Sequence, residues 1–137
     1  MSAGSHPWID AQLDRLRGPM RLAGRVFLAA IFIYDATLIV RFPADNLAYM
    51  QQHGVPGLLL YPTAAFQFFG GLAIVFGLWL RPVALAFAGF CLMTAILFHR
   101  DFADAGELIQ LGKDVGLAGG FLLLAAGNLP ASRGPQR

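Results

Sequence analysis

Charge is what this chain has least of. Only 13% of its 137 residues are Asp, Glu, Lys or Arg, against about 25% in a soluble domain. Ten basic residues face eight acidic ones for a net +2, and no run of Lys and Arg could track a phosphate backbone, so a nucleic-acid module is excluded. Cysteine is nearly absent. Cys91 stands alone, which removes an internal disulfide, a CxxC pair and a thiolate zinc site. No HxxxH, ExxH or carboxylate cluster has metal-ligand spacing. No glycine-rich loop follows a strand, and no nucleophile elbow accompanies a Ser/His/Asp set. Internal repeats and low-complexity segments are missing too. What is present is apolar: 57% of the residues, with a mean hydropathy of +0.60. An integral membrane protein fits both the lack and the excess.

Crossing ~30 Å of hydrocarbon as a helix takes about 20 mostly apolar residues. Four stretches meet or approach that length, at about 22–42, 59–80, 83–99 and 109–127. The sequence therefore predicts an all-α membrane protein, a four-transmembrane-helix antiparallel bundle over residues 21–127, with a tail over 128–137. Residues 1–20 read as an interfacial amphipathic segment. Trp8, Leu13, Leu16 and Met20 recur near helical spacing opposite Asp10, Asp14, Arg15 and Arg17, and Pro7 suits a first turn. The first span reads as retained rather than as a signal peptide. A stretch of mixed charge precedes it, Asp35 interrupts it, and no small-x-small cleavage site follows.

With four crossings both termini share a side. Arg15, Arg17, Arg21, Arg25, Arg81, Arg133 and Arg137 fall there, while Arg41, Arg100 and Lys113 fall opposite. The positive-inside rule then predicts cytoplasmic termini. Leu80, Arg81 and Pro82 read as a short hairpin, and Asp45 as the N-cap of a small helix, AYMQQH, closed by Gly54. The segment RDFADAGE reads as a solvated outer loop. Gly70 and Gly71 in the second span, and Gly112, Gly116 and Gly120 in the fourth, form small-residue faces suited to close helix packing.

Polar residues inside the spans carry the functional signal, because lipid penalises them. Asp35 lies ~9 Å below the outer end of the first span at 1.5 Å per residue. Thr63 and Gln67 share a face in the outer half of the second span, His99 ends the third, and Gln110, Lys113 and Asp114 open the fourth. All fall in one layer, the outer half. Unpaired and ionised, Asp35 would cost about 2.5–3.5 kcal/mol, so the sequence predicts that it is protonated or paired, with Lys113 as first partner and Arg41 or Arg100 next. The candidate intramembrane polar site is thus Asp35, Gln67, His99, Lys113 and Asp114, with no metal. A bis-histidine haem is disfavoured, since His6 and His53 lie outside the spans.

The segments FLAAIFIYDATLIVRFP, AYMQQHGVP, FQFFGGLAIVFGLWLRPVAL, AILFH and LGKDVGLAGGFLLLA, in this order, resemble the DoxX family of small four-helix membrane proteins. The resemblance spans about 21–126 and includes GVP, GG-x5-G-x3-R and K-x-x-x-L-x-GG patterns. It implies a four-helix bundle in a bacterial cytoplasmic (inner) membrane. The family name derives from DoxD/DoxA-type subunits of a thiosulfate:quinone oxidoreductase, and other relatives are linked to membrane oxidoreductase complexes. Departures from the pattern sit at the polar positions. Asp35, Ala36 and Ile39 stand where members usually carry a small residue, glycine and then lysine. Gln67 replaces a glutamate before the glycine pair, and Asp114 replaces an asparagine after the retained Lys113.

Three functions compete on these residues. The first is an accessory or structural subunit of a larger membrane complex, possessing no catalytic motif of its own and embedded among lipid and other membrane subunits. The second is a redox-associated subunit that binds a quinone-like molecule in the outer polar layer, with Phe66, Phe68 and Phe69 as its apolar wall. The third is a small-molecule or proton carrier with Asp35 as the titrating group; the missing inverted repeat weighs against it.

Overall fold

The computed structural model describes residues 7–127; expectations placed on His6, Arg133, Arg137 and the tail lie outside the described residues. Helix α1 spans Pro7–Arg41, α2 Pro43–Gln52, α3 Leu60–Phe76, α4 Leu80–Phe98 and α5 Ala105–Ala126, with a single 3-10 turn at Gly57–Leu59 leading into α3. Among the described residues there is no strand. Four stretches, Trp8–Arg41, Gly57–Phe76, Leu80–Phe98 and Ala105–Ala126, are long and apolar enough to cross a membrane. The chain is an all-α membrane bundle.

The helix boundaries refine several local expectations. α1 is one unbroken helix of 35 residues, ~52 Å long at 1.5 Å per residue, so the amphipathic segment continues the first span instead of forming a separate element. Pro19 sits inside it and removes one backbone donor without ending it. α2 starts at Pro43, with Phe42 as its cap, and Asp45 lies within its first turn rather than capping it. Proline needs no amide partner there, so the start needs no side-chain cap. The α3–α4 turn falls earlier than the expected Leu80–Pro82. Gly77 takes a left-handed φ of 74° while the Leu78 amide donates to the Ala73 carbonyl at 2.8 Å, a helix stop that glycine permits at low strain. Trp79 follows with φ 47°, and α4 begins with Pro82 in its first turn.

The bundle is built from two close helix pairs, α1 with α3 and α4 with α5. Small residues allow the approach, as packing in lipid requires. A Cβ on Gly71 would stand 2.6 Å from Cγ1 of Ile33 and 3.5 Å from the Ala29 carbonyl. α4 and α5 bury Ala84, Ala88, Cys91, Ala95, Ala118 and Ala125. Aromatic rings join the two pairs. Phe87 stacks on Phe121 with centroids 5.0 Å apart, and Phe32 and Phe66 tilt against Phe87 at 4.8 and 4.6 Å. Each such contact adds about 0.5–1.5 kcal/mol beyond burial. This layer fills the middle of the bundle, and the buried residues that cluster around it are apolar, with Cys91 among them. A second cluster of Ile39, Met50, Leu60 and Ala64, with Val55 and Phe98, seats α2 at the end away from the termini, termed the distal end below.

Candidate functional site

At the distal end, α4 and α5 present an acid–imidazole chain. α4 stops at His99, whose amide donates to Ala95. Five residues later Asp104 starts α5 by accepting the Glu107 amide on Oδ1 at 3.0 Å, a side-chain N-cap. Glu107 therefore lies in the first turn, near the positive end of the helix dipole, which favours its carboxylate. That turn directs it at His99: Nδ1 of His99 donates to Oε2 of Glu107 at 2.9 Å. With Nδ1 carrying the proton, Nε2 points at Oδ2 of Asp114, 3.8 Å away. Asp114 follows Glu107 by seven residues, two helical turns, and so shares its face.

The chain continues inward through Thr94, whose Oγ1 lies 3.1 Å from Asp114 Oδ2 and 2.9 Å from the Cys91 carbonyl. A threonine hydroxyl has one hydrogen to give, so it serves one of these oxygens at a time. Both contacts become hydrogen bonds together only when Asp114 brings a proton of its own. His99 and Asp114 keep just 13% and 22% of their side-chain surface exposed, whereas the Asp14–Arg17 pair keeps 62% and 70%. Attraction in the first set is screened far less than in the second.

An open cleft of about 420 Å³ borders the chain, lined by His53, Phe98, Arg100, Asp101, Asp104 and Glu107. The expected solvated loop therefore forms one wall of the site, and Glu107 is folded onto His99. His53, which caps α2, also lines the cleft, and Tyr49 sits one turn before it on α2. The Tyr49 ring stacks on Phe98 at 5.2 Å, and Nδ1 of His53 donates to the Tyr49 carbonyl at 2.9 Å. Burial, with the carboxylates of Glu107 and Asp114 nearby, pushes the Tyr49 phenol above its ordinary value.

Of the five polar residues expected to converge, the structure brings only His99 and Asp114 together. Gln67 is 3% exposed and its Oε1 has no hydrogen-bond partner among the described residues; no bond links it to the chain. Asp35 is exposed and unpartnered among the described residues, and Lys113 turns outward to donate to Gln110 at 2.7 Å. No ion pair joins Asp35 to Lys113, and Arg100 donates instead to the Ile96 carbonyl. Of the glycines, Gly70 meets Phe87, Gly71 meets Ile33 and Gly120 meets Leu28, whereas Gly112 and Gly116 face open space. Glu107, Thr94 and Tyr49 were not among the expected site residues. The spacing of Glu107 to Asp114, seven residues on one helix, was the available signal.

Four apolar spanning helices around an aromatic core, with their polar groups gathered at one end, define a small polytopic membrane protein. The DoxX family model matches residues 20–100. An Escherichia coli inner membrane protein, YqjF, is 40% identical over 104 residues, covering 76% of this chain and 80% of its own. A second E. coli inner membrane protein, YphA, is 31% identical over 121 residues, covering 80% and 83%. The chain belongs to the DoxX family. No solved structure matches it.

Proposed function

We propose that this chain is a small accessory subunit of a larger membrane complex in the bacterial inner membrane, with cytoplasmic termini and the distal end facing the periplasm. Its own contribution is a proton-exchanging group, the Glu107–His99–Asp114–Thr94 chain. The observation that carries this reading is the chain's extent. It runs from an open cleft through Asp114 and Thr94 to the Cys91 carbonyl, and Cys91 belongs to the cluster of Phe rings and apolar side chains that fills the bundle beyond it. A chain that opens to a cleft at one end suits a subunit that modulates an assembly better than a carrier, which needs access from both faces. Imidazole fits the role because it can take a proton on one nitrogen while releasing one from the other. Inner-membrane placement rests on the relatives' names, and orientation on the arginine distribution.

The quinone reading finds less support at this cleft. Three carboxylates line it and would oppose electron-rich carbonyl oxygens, and His99 already commits Nδ1 to Glu107. The expected aromatic wall is also elsewhere, since Phe66 packs into the core against Phe87.

Blue-native electrophoresis of the tagged chain at native expression tests the proposal. A complex of fixed stoichiometry is expected, and its assembly should take up a proton, seen as enthalpy differences between buffers of unlike ionisation heat. Asp114→Asn should keep the complex and abolish the proton uptake. A chain that migrates alone, or uptake unchanged in Asp114→Asn, overturns the reading. A reporter fused to the C-terminus should be active in the cytoplasm.

A further inference from the structure

We infer that the exposed Asp35 and Lys113 are two halves of an ion pair between copies of this chain, so that the α1/α5 side of the bundle is a self-association surface within the membrane. Both residues lie inside apolar spans, both are exposed, and no ion pair joins them in one copy. A charge held against lipid is costly, and aspartate is too short to reach the headgroups. A partner that supplies the opposite charge relieves that cost for both residues.

Depth identifies the partner. Gly120 of α5 contacts Leu28 of α1: a Cβ there would stand 3.0 Å from Leu28 Cδ2. Asp35 lies seven residues distal of Leu28, and Lys113 seven residues distal of Gly120. At 1.5 Å per residue both stand ~10 Å beyond that contact, in one plane of the membrane. Copies related by an axis along the membrane normal keep every atom at its own depth. Opposite charges can therefore meet across such an axis only if they already share a depth, as these do. The surroundings allow close approach. Gly112 and Gly116 flank Lys113 with nothing within 4 Å of a Cβ at either, the open small-residue face through which membrane helices dock. Ile109 at 63% and Tyr34 at 64% exposure supply apolar area on either side. None of these surface residues belongs to the His99 chain, and failure of the inference would leave the proposed function untouched.

The full chain tests it in native membranes. In a Cys91→Ala background, checked for folding by its melting, two differently tagged copies are co-expressed, one carrying Asp35→Cys and the other Lys113→Cys. Oxidation should yield a disulfide-linked species bearing both tags, and Val115→Cys, 51% exposed on another face of α5, should not replace Lys113→Cys. In nanodiscs Asp35→Asn should weaken self-association about tenfold, and Asp35→Lys combined with Lys113→Asp should restore it. The inference is overturned if no doubly tagged species forms, if Val115→Cys links equally well, or if Asp35→Asn leaves association unchanged. It is equally overturned if one chain carrying both cysteines closes only on itself.

Discussion

The two helix pairs solve opposite problems with the same residue types. In α1–α3 the packing glycine, Gly71, is inside against Ile33 and the carboxylate of Asp35 is outside. In α4–α5 the carboxylate of Asp114 is turned in toward Thr94 and His99, while Gly112 and Gly116 are outside. A carboxylate inside needs hydrogen bonds, and α4 provides a hydroxyl and an imidazole at the right heights. A glycine outside needs another backbone to be of use. One pair closes its glycine contact and leaves a charge outside, and the other closes its charge and leaves glycines outside.

Enlarging the glycines breaks the comparison most strongly. Gly71→Leu must displace Ile33 and should cost about 3 kcal/mol, the upper end for overpacking, read as a large fall in thermal melting in detergent. Gly116→Leu has room and should change the melting of the monomer by less than ~0.5 kcal/mol. Equal losses for the two would erase the inside–outside distinction.

Removing the imidazole comes next. His99→Ala strips Glu107 of its partner and should destabilise by about 1–2 kcal/mol, since the pair is only partly screened, whereas Asp35→Asn should leave monomer melting nearly unchanged. A double-mutant cycle on Thr94→Val and Asp114→Asn should then show a coupling of about 0.5–1.5 kcal/mol. The matching cycle on Asp35→Asn and Lys113→Ala, in monomeric protein, should be additive within ~0.3 kcal/mol.

The smallest effect is alkaline. Because the Tyr49 phenol is raised above its ordinary 10.0, the folded protein holds that proton more tightly than the unfolded chain. Its stabilisation is whole below pH 10 and drains away as pH rises through the folded value. Tyr49→Phe should remove this part of the alkaline melting loss, and Glu107→Gln should shift the phenol's absorbance titration downward.

Much of this architecture was legible from hydropathy, because span length is dictated by bilayer thickness. Depth was legible too: His99 and Asp114 were both placed in the outer half and do lie at the distal end. Azimuth was not. Lys113 and Asp114 are neighbours in sequence, yet a 100° step sends one outward and the other to His99. Asp35 and Lys113 shared a layer and opposite charge, and nothing in a single sequence says that each is exposed and that no ion pair joins them within one copy. Glu107 escaped because its loop reads as solvated, whereas the Asp104 cap sets the start of α5 and so decides where Glu107 points.

The aromatic layer across the bundle also has an electrical consequence. Asp114 lies nine residues into α5, ~14 Å at 1.5 Å per residue, with that ring cluster beneath it. With the start of α5 at the membrane surface, a proton that reaches Asp114 from the distal side would cross less than half of the ~30 Å hydrocarbon. A full crossing is worth about 2.3 kcal/mol per 100 mV, so occupancy of Asp114 would respond to membrane voltage by about 1 kcal/mol per 100 mV. The apolar ring layer would carry the rest of the potential as a dielectric, and Asp114 would sense only the shallower part of it.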